Sequence, residues 1–148
     1  MKKLTRDEVI AILEEAKQQG KKPDFSNMDL SGLNLSRLDF LRADLYNANL
    51  THANLYAANL TKANCHFANF YRADLAGAYL EGADLTYSDL TDAKCLGANF
   101  WRANLAYANL TKANCHFANF YRADLTGAKC HGADFTDANL EDAKGIDK

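Results

Sequence analysis

The sequence predicts an all-β solenoid with a short α-helix at its N-terminal end, and three observations lead there. Every multiple of five from Phe25 to Leu140 is Leu, Phe or Cys: fourteen, six and four of them in twenty-four consecutive repeats. The position two before each is Ala in every repeat from Ala43 to Ala138 except at Ser88. No charged residue occupies either position, and the Lys, Arg, Asp and Glu of the array, Asp44 and Arg72 among them, fall on the other three. Two positions in five therefore point inward.

A period of five matches neither the 3.6 of an α-helix nor the 2 of a strand, so neither element propagates along this segment. The period is satisfied if each pentad forms one short side of a coil and then turns a corner, which stacks every fifth side chain on the axis. Gly32, Gly77, Gly82, Gly97, Gly127 and Gly132 all lie two residues after a central Leu, Phe or Cys and mark that corner, since a positive φ costs least without a Cβ. The single proline, Pro23, stands in the first repeat. Its absence afterwards is expected where each backbone N–H bonds a neighbouring coil.

Ahead of the array, Thr5-x-x-Glu8 forms a capping box, Leu4 and Val9 supply a hydrophobic staple, and Gly20 is a helix stop. A helix over about residues 6–19 presents Val9, Ile12, Leu13 and Ala16 along one side, and that side is expected to cover the open end of the first coil, as terminal caps do in solenoids.

The pentads ADLYN, ANLTH, ANLYA, ANLTK and ADLTG follow the pattern A-[DN]-L-[ST]-x. In tandem, this pattern resembles that of the pentapeptide-repeat proteins, over about four fifths of the chain. The resemblance implies a right-handed quadrilateral parallel β-helix with four pentads per coil. Twenty-four pentads then imply six coils and, at ~4.8 Å per coil, a rod of roughly 29 Å. The expected organisation is an N-terminal capping helix and linker over 1–22, the β-helix over 23–142, and a tail over 143–148. Pro23, Met28, Leu33 and Leu38 replace Ala in the first four repeats, which predicts a wider first coil.

At 148 residues the chain is long enough for one domain with a sizeable core. A net charge of −2 gives no general attraction to nucleic acid or acidic membrane surfaces. No apolar run is long enough to cross a bilayer, and Asp7, Glu8, Glu14 and Glu15 interrupt the N-terminal apolar stretch, unlike a signal peptide. The cytoplasm is the expected location, and it suits four cysteines without C-x-x-C spacing.

Those cysteines invite a metal or redox reading. Cys65, Cys95, Cys115 and Cys130 are each followed five residues later by a phenylalanine, Phe70, Phe100, Phe120 and Phe135. A small side chain on one side is thus matched by a large one on the next, which is how a core keeps its density. Packing is the expected role, with an oxidised Cys95–Cys115 pair, one coil apart, as the alternative. His66, His116 and His131 point outward while the thiols point inward, so no metal, cofactor or catalytic residue is expected.

A twenty-residue coil lets the surface be unrolled. One wall, centred on residues 25, 45, 65, 85, 105 and 125, carries Asp24, Asp44, Asp84 and Asp124 without Lys or Arg, together with Tyr46, Phe67, Tyr87 and Tyr107. The wall centred on 40, 60, 80, 100, 120 and 140 carries Arg42, Lys62, Arg102 and Arg122 beside Trp101 and Tyr121. These aromatics either stabilise coil stacking or, with Arg102 and Arg122, form a protein-binding surface, for which exposed Tyr, Trp and Arg are typical anchors. The stretch ANLTKANCHFANFYRADL occurs unchanged at 58–75 and 108–125. Its offset is two and a half coils, so the copies lie on opposite walls and do not pool into one patch.

The expected function is that of a non-enzymatic scaffold or protein-binding module, with a protein partner and no direct contact with nucleic acid or membrane. The alternative implied by the resemblance is a DNA mimic that binds a type II topoisomerase such as DNA gyrase. Nine Lys and Arg in the array weigh against that mimicry. At the C-terminal end only Ile146 is available to cover the last coil, which predicts a homodimer with Leu125, Phe135, Leu140 and Ile146 at or near its contact.

Overall fold

Each side of the coil pairs with the side twenty residues further on. The computed structural model describes residues 1–146, and within them parallel bridges join Asp24 to Asp44, Asp44 to Asn64, and so on to Asp124 and Lys144. All twenty-one bridges of this series have the same offset, so four pentads complete one turn and each turn lies in register on the last.

One pentad shows how the backbone is satisfied. The Asn104 N–H donates to the Ala83 carbonyl of the preceding coil at 2.9 Å, whereas those of Leu105 and Tyr107 donate to Asp124 and Thr126 of the following coil at 2.7 and 2.8 Å. The Ala108 N–H closes the corner onto the Leu105 carbonyl at 3.0 Å. The Ala106 N–H, which points toward neither coil, donates to Oδ1 of Asn104 at 3.0 Å. All five donors are thus used, which buried or half-buried backbone requires.

The corner demands one residue with positive φ, as in a type II turn. That residue is Gly at the six places marked by the sequence, but it is also Phe67, Tyr87, Tyr107 and Phe117, with φ between 58° and 61°. A left-handed conformation costs a residue bearing a Cβ roughly 1–2 kcal/mol. In the inner coils it is held by the pentad's hydrogen bonds to both neighbouring coils.

The core runs along the axis. Central residues from Phe25 to Leu125 are completely buried, and the alanines two before them are at most 1% exposed from Ala43 to Ala123. Ser88 is the buried polar exception among the described residues, and its hydroxyl donates to the Leu85 carbonyl at 2.7 Å. Phe100 and Phe120, one coil apart, stack at 4.7 Å with an interplanar angle of 5°.

At the N-terminus, β1 (Lys2–Lys3) pairs in parallel with β2 (Met28–Asp29), and the Leu4 N–H continues the ladder onto the Asp29 carbonyl at 2.9 Å. Helix α1 (Arg6–Gln19) follows. Thr5 accepts from the Glu8 N–H while Glu8 accepts from the Thr5 N–H, and Gly20 ends the helix at φ 63°. Leu4 and Val9 are buried against the first coil, with Ile12 and Leu13 partly so.

Leu105 is completely buried on the axis. Leu105→Ala is expected to melt cooperatively with a loss of about 2–5 kcal/mol. Leu105→Asp is expected not to fold, because an unpaired charge has no partner there. Circular dichroism with urea titration reads both; a native-like Leu105→Asp transition would contradict the inward register.

Candidate functional wall

The outward positions that follow each central residue build a continuous aromatic column. Phe67, Tyr87 and Tyr107 all occupy the left-handed corner position, so their rings leave the backbone in the same direction one coil apart. Phe67 and Tyr87 lie 5.4 Å apart, and Tyr87 and Tyr107 stack at 5.0 Å with planes 13° apart. These separations follow the ~4.8 Å spacing of paired strands. Tyr46 reaches the column from one position earlier, edge-on to Phe67 at 6.1 Å and stacked on His66 at 5.8 Å. His66 Nδ1 is in turn hydrogen-bonded to the Thr86 hydroxyl.

The column ends on a glycine. A Cβ on Gly127 would stand 2.5 Å from Cδ1 of Tyr107, so Gly127 is where the last ring lies down. Phe67, Tyr87 and Tyr107 remain 46, 51 and 53% exposed. Stacking therefore leaves about half of each ring in water, and a shallow cleft of about 360 Å³ opens beside Phe67 and Tyr87.

The acidic residues of the same wall have a structural task. Oδ1 of Asp44 accepts the Tyr46 N–H at 3.0 Å, and Oδ1 of Asp84 accepts both the N–H and the hydroxyl of Thr86, at 3.0 and 2.7 Å. Asp24 and Asp124 do the same with Ser26 and Thr126. The hydroxyl and then the N–H of those partners hold the Asp24 and Asp124 carboxyls below the usual range. At some positions where Asn follows Asp or Asn an amide bond between coils is added, as from Asn64 Nδ2 to Asp44 Oδ1 at 3.2 Å.

On the basic wall, charge and ring are paired within one pentad. The Arg102 guanidinium lies 4.6 Å from the Trp101 ring centroid, and that of Arg122 lies 5.1 Å from Tyr121. Arg122 also meets Asp142 at 3.7 Å. Trp101 and Tyr121 are half-buried, whereas both arginines are exposed. The eight candidate residues therefore fall into two groups: Tyr46, Phe67, Tyr87 and Tyr107 form one column, and Trp101, Arg102, Tyr121 and Arg122 form two separate cation–π pairs. The duplicated stretch gives the same local geometry twice, with His66–Phe67 at 4.1 Å and His116–Phe117 at 4.0 Å, on different walls.

The thiols are free. Burial first, then the Asp84 and Asp44 carboxylates, pushes the Cys65 thiol well up; a hydrogen bond to Cys115 and burial do the same to Cys95. Such thiols are poor nucleophiles. Among the described residues no three His, Cys, Asp or Glu side chains converge on a common point, and no helix is long and apolar enough to cross a membrane. At the C-terminal end Leu125 is buried, its N–H donating to the Lys144 carbonyl at 2.8 Å, while Phe135, Leu140 and Ile146 are partly buried.

The profile of the family described as pentapeptide repeats matches eight copies, in segments that run from residue 24 to residue 142. No curated protein matches the chain. Among solved structures, the pentapeptide repeat protein Rfr23 from the cyanobacterium Cyanothece 51142 is 24% identical, with a TM-score of 0.60 over 90% of this chain and 97% of that one, and the likeness is one of fold. HetL, a pentapeptide repeat protein involved in heterocyst differentiation regulation from Nostoc sp. strain PCC 7120, is 29% identical over 84% of this chain and 78% of that one, with a TM-score of 0.34. QnrB1, a plasmid-mediated fluoroquinolone resistance protein, is 20% identical over 99% of this chain and 86% of that one, with a TM-score of 0.48.

Proposed function

Since the chain belongs to the pentapeptide-repeat family, whose fold is the right-handed quadrilateral β-helix, we propose that it is a non-enzymatic scaffold that binds another protein through its aromatic wall. In this reading residues 23–142 form six coils, residues 1–22 cap part of the first of them, and 143–148 are a tail, of which Asp147 and Lys148 lie outside the described residues. The free thiols suit a reduced compartment, the cytoplasm.

One observation carries the proposal: Phe67, Tyr87 and Tyr107 stay about half exposed although their rings already pack on one another, with Tyr46 edge-on at one end. Contacts within the column cover one part of each ring and leave the rest open to a partner. A row of rigid, amphipathic faces at fixed spacing provides contact area at low entropic cost, which is what partner-binding anchors supply. The basic wall contributes Arg102 and Arg122 at its edge. The expected outcome is that proteins retained from lysate by the wild-type rod are lost with Tyr87→Ala/Tyr107→Ala, while the melting temperature falls by only a few degrees. Unchanged retention by a folded variant would remove the column from the binding surface.

The acidic line Asp24, Asp44, Asp84 and Asp124 favours a second reading, mimicry of DNA toward a type II topoisomerase. The basic wall opposes it, and no inhibition of gyrase supercoiling is expected at micromolar protein. Inhibition that disappears when the four aspartates become Asn would put this reading first.

We further propose a homodimer through the C-terminal coil. The N–H groups of Cys130, Phe135 and Leu140 meet no coil acceptor among the described residues, and such an edge is ordinarily covered. Two rods meeting about a twofold axis would bury Phe135, Leu140 and Ile146, with Leu125 just beneath. Light scattering across a wide concentration range should show a dimer that Phe135→Glu or Ile146→Glu dissociates. A strict monomer, or a dimer indifferent to both changes, would refute that contact.

A further inference from the structure

At the opposite end, the first coil keeps a free strand edge beside a groove. On one side of that coil β1 pairs with Met28–Asp29, and on the next the Arg6 guanidinium donates to the Asn34 carbonyl at 2.9 Å. On the third side, Leu38–Arg42, the Asp39 N–H and the carbonyls of Asp39 and Leu41 have no hydrogen-bond partner among the described residues. Between this edge and α1 lies a groove of about 580 Å³, lined by Ile10, Leu13, Pro23, Leu38 and Leu41. Leu41 is 46% exposed.

The rim of the groove is charged unevenly. Lys17, Lys21, Lys22 and Arg42 stand around it with Glu14 and Asp39, and none of these six side chains makes an ion pair among the described residues. We propose that this groove is a second binding site, which takes an extended acidic peptide segment of a partner protein. The segment adds a strand to the Leu38–Arg42 edge, parallel as Lys2–Lys3 is to Met28–Asp29. Its backbone satisfies the Asp39 and Leu41 groups, one apolar side chain enters between Leu13 and Leu38, and flanking carboxylates meet Lys21, Lys22 and Arg42. Main-chain pairing with side-chain pockets is the recurring mode of strand addition, and β1 already shows that this coil accepts a docked strand. The site is separate from the aromatic column and does not rest on it.

The test is selection of a random octapeptide library, displayed on phage, against the intact protein at low salt, followed by amide exchange with the enriched peptide. Sequences with Asp or Glu flanking a large apolar residue should be enriched, exchange of the Asp39 amide should slow at least tenfold, and Lys21→Glu/Lys22→Glu should weaken binding at least tenfold. Both lysines are exposed, and an unchanged melting curve checks that the variant folds. Tyr87→Ala/Tyr107→Ala should bind the peptide as the wild type does, whatever becomes of the aromatic wall. No enrichment, enrichment of basic sequences, or binding that leaves Asp39 exchange unchanged would overturn the proposal.

Discussion

Everything in this molecule depends on a hydrogen bond between each central N–H from Phe25 to Leu125 and the carbonyl nineteen residues ahead, as from Leu105 to Asp124. That bond fixes the coil at twenty residues, and with it the period of five, the inward pair of positions and the left-handed corner. The inward positions exclude charged side chains, because the axis offers a charge no partner; Ser88 fits there because its hydroxyl donates to the Leu85 carbonyl. Asn or Asp before the central residue follows from the same geometry: the N–H just after that residue faces no neighbouring strand, and a short side-chain oxygen is the nearest acceptor. The fold is therefore a backbone ladder first and a packed core second, with each side chain assigned its place by the ladder.

The two outward positions after each central residue are left free by these demands, and function has to be built there. A rod with a filled axis provides surfaces at regular spacing rather than a deep central cavity. Rings at successive corners are brought to about 5 Å because the coils are, so an aromatic column arises wherever the same corner carries aromatics in consecutive coils. The cost is the left-handed backbone at Phe67, Tyr87 and Tyr107, where Gly would be less strained. Retaining aromatics at three such corners in line, with Gly127 receiving the last ring, is the local conflict between stability and surface that a binding wall would require.

Much of this was legible in the residues. Inward positions could be read from the period alone, since a buried charge is excluded at every repeat, whereas the walls followed only once the family resemblance implied four pentads per coil. The ends of α1 were legible because Thr5, Glu8 and Gly20 act locally. What was not legible depends on distant or context-bound partners. The pairing of Lys2–Lys3 with Met28–Asp29 joins two lysines of low strand propensity to a segment twenty-six residues away. The Oδ1 acceptors look like polar surface until the orphan N–H is located. Corners bearing Phe or Tyr hide behind the preference for Gly, and the association of Arg102 with Trp101, rather than with a shared patch, is a matter of rotamer. The groove beside α1 depends on how the helix crosses the coil, which no local signal specifies.

The claim that the ladder dictates the five-residue register is tested most directly by comparing two deletions in one melting experiment. Removing the whole pentad Ala106–Leu110 leaves every later central residue facing inward. Removing Ala106 alone, a half-buried residue outside the core, turns each of them out of phase. A cooperative transition is expected for the larger deletion and no folded protein for the smaller one; a native-like melt after loss of the single residue would show that the ladder does not set the register.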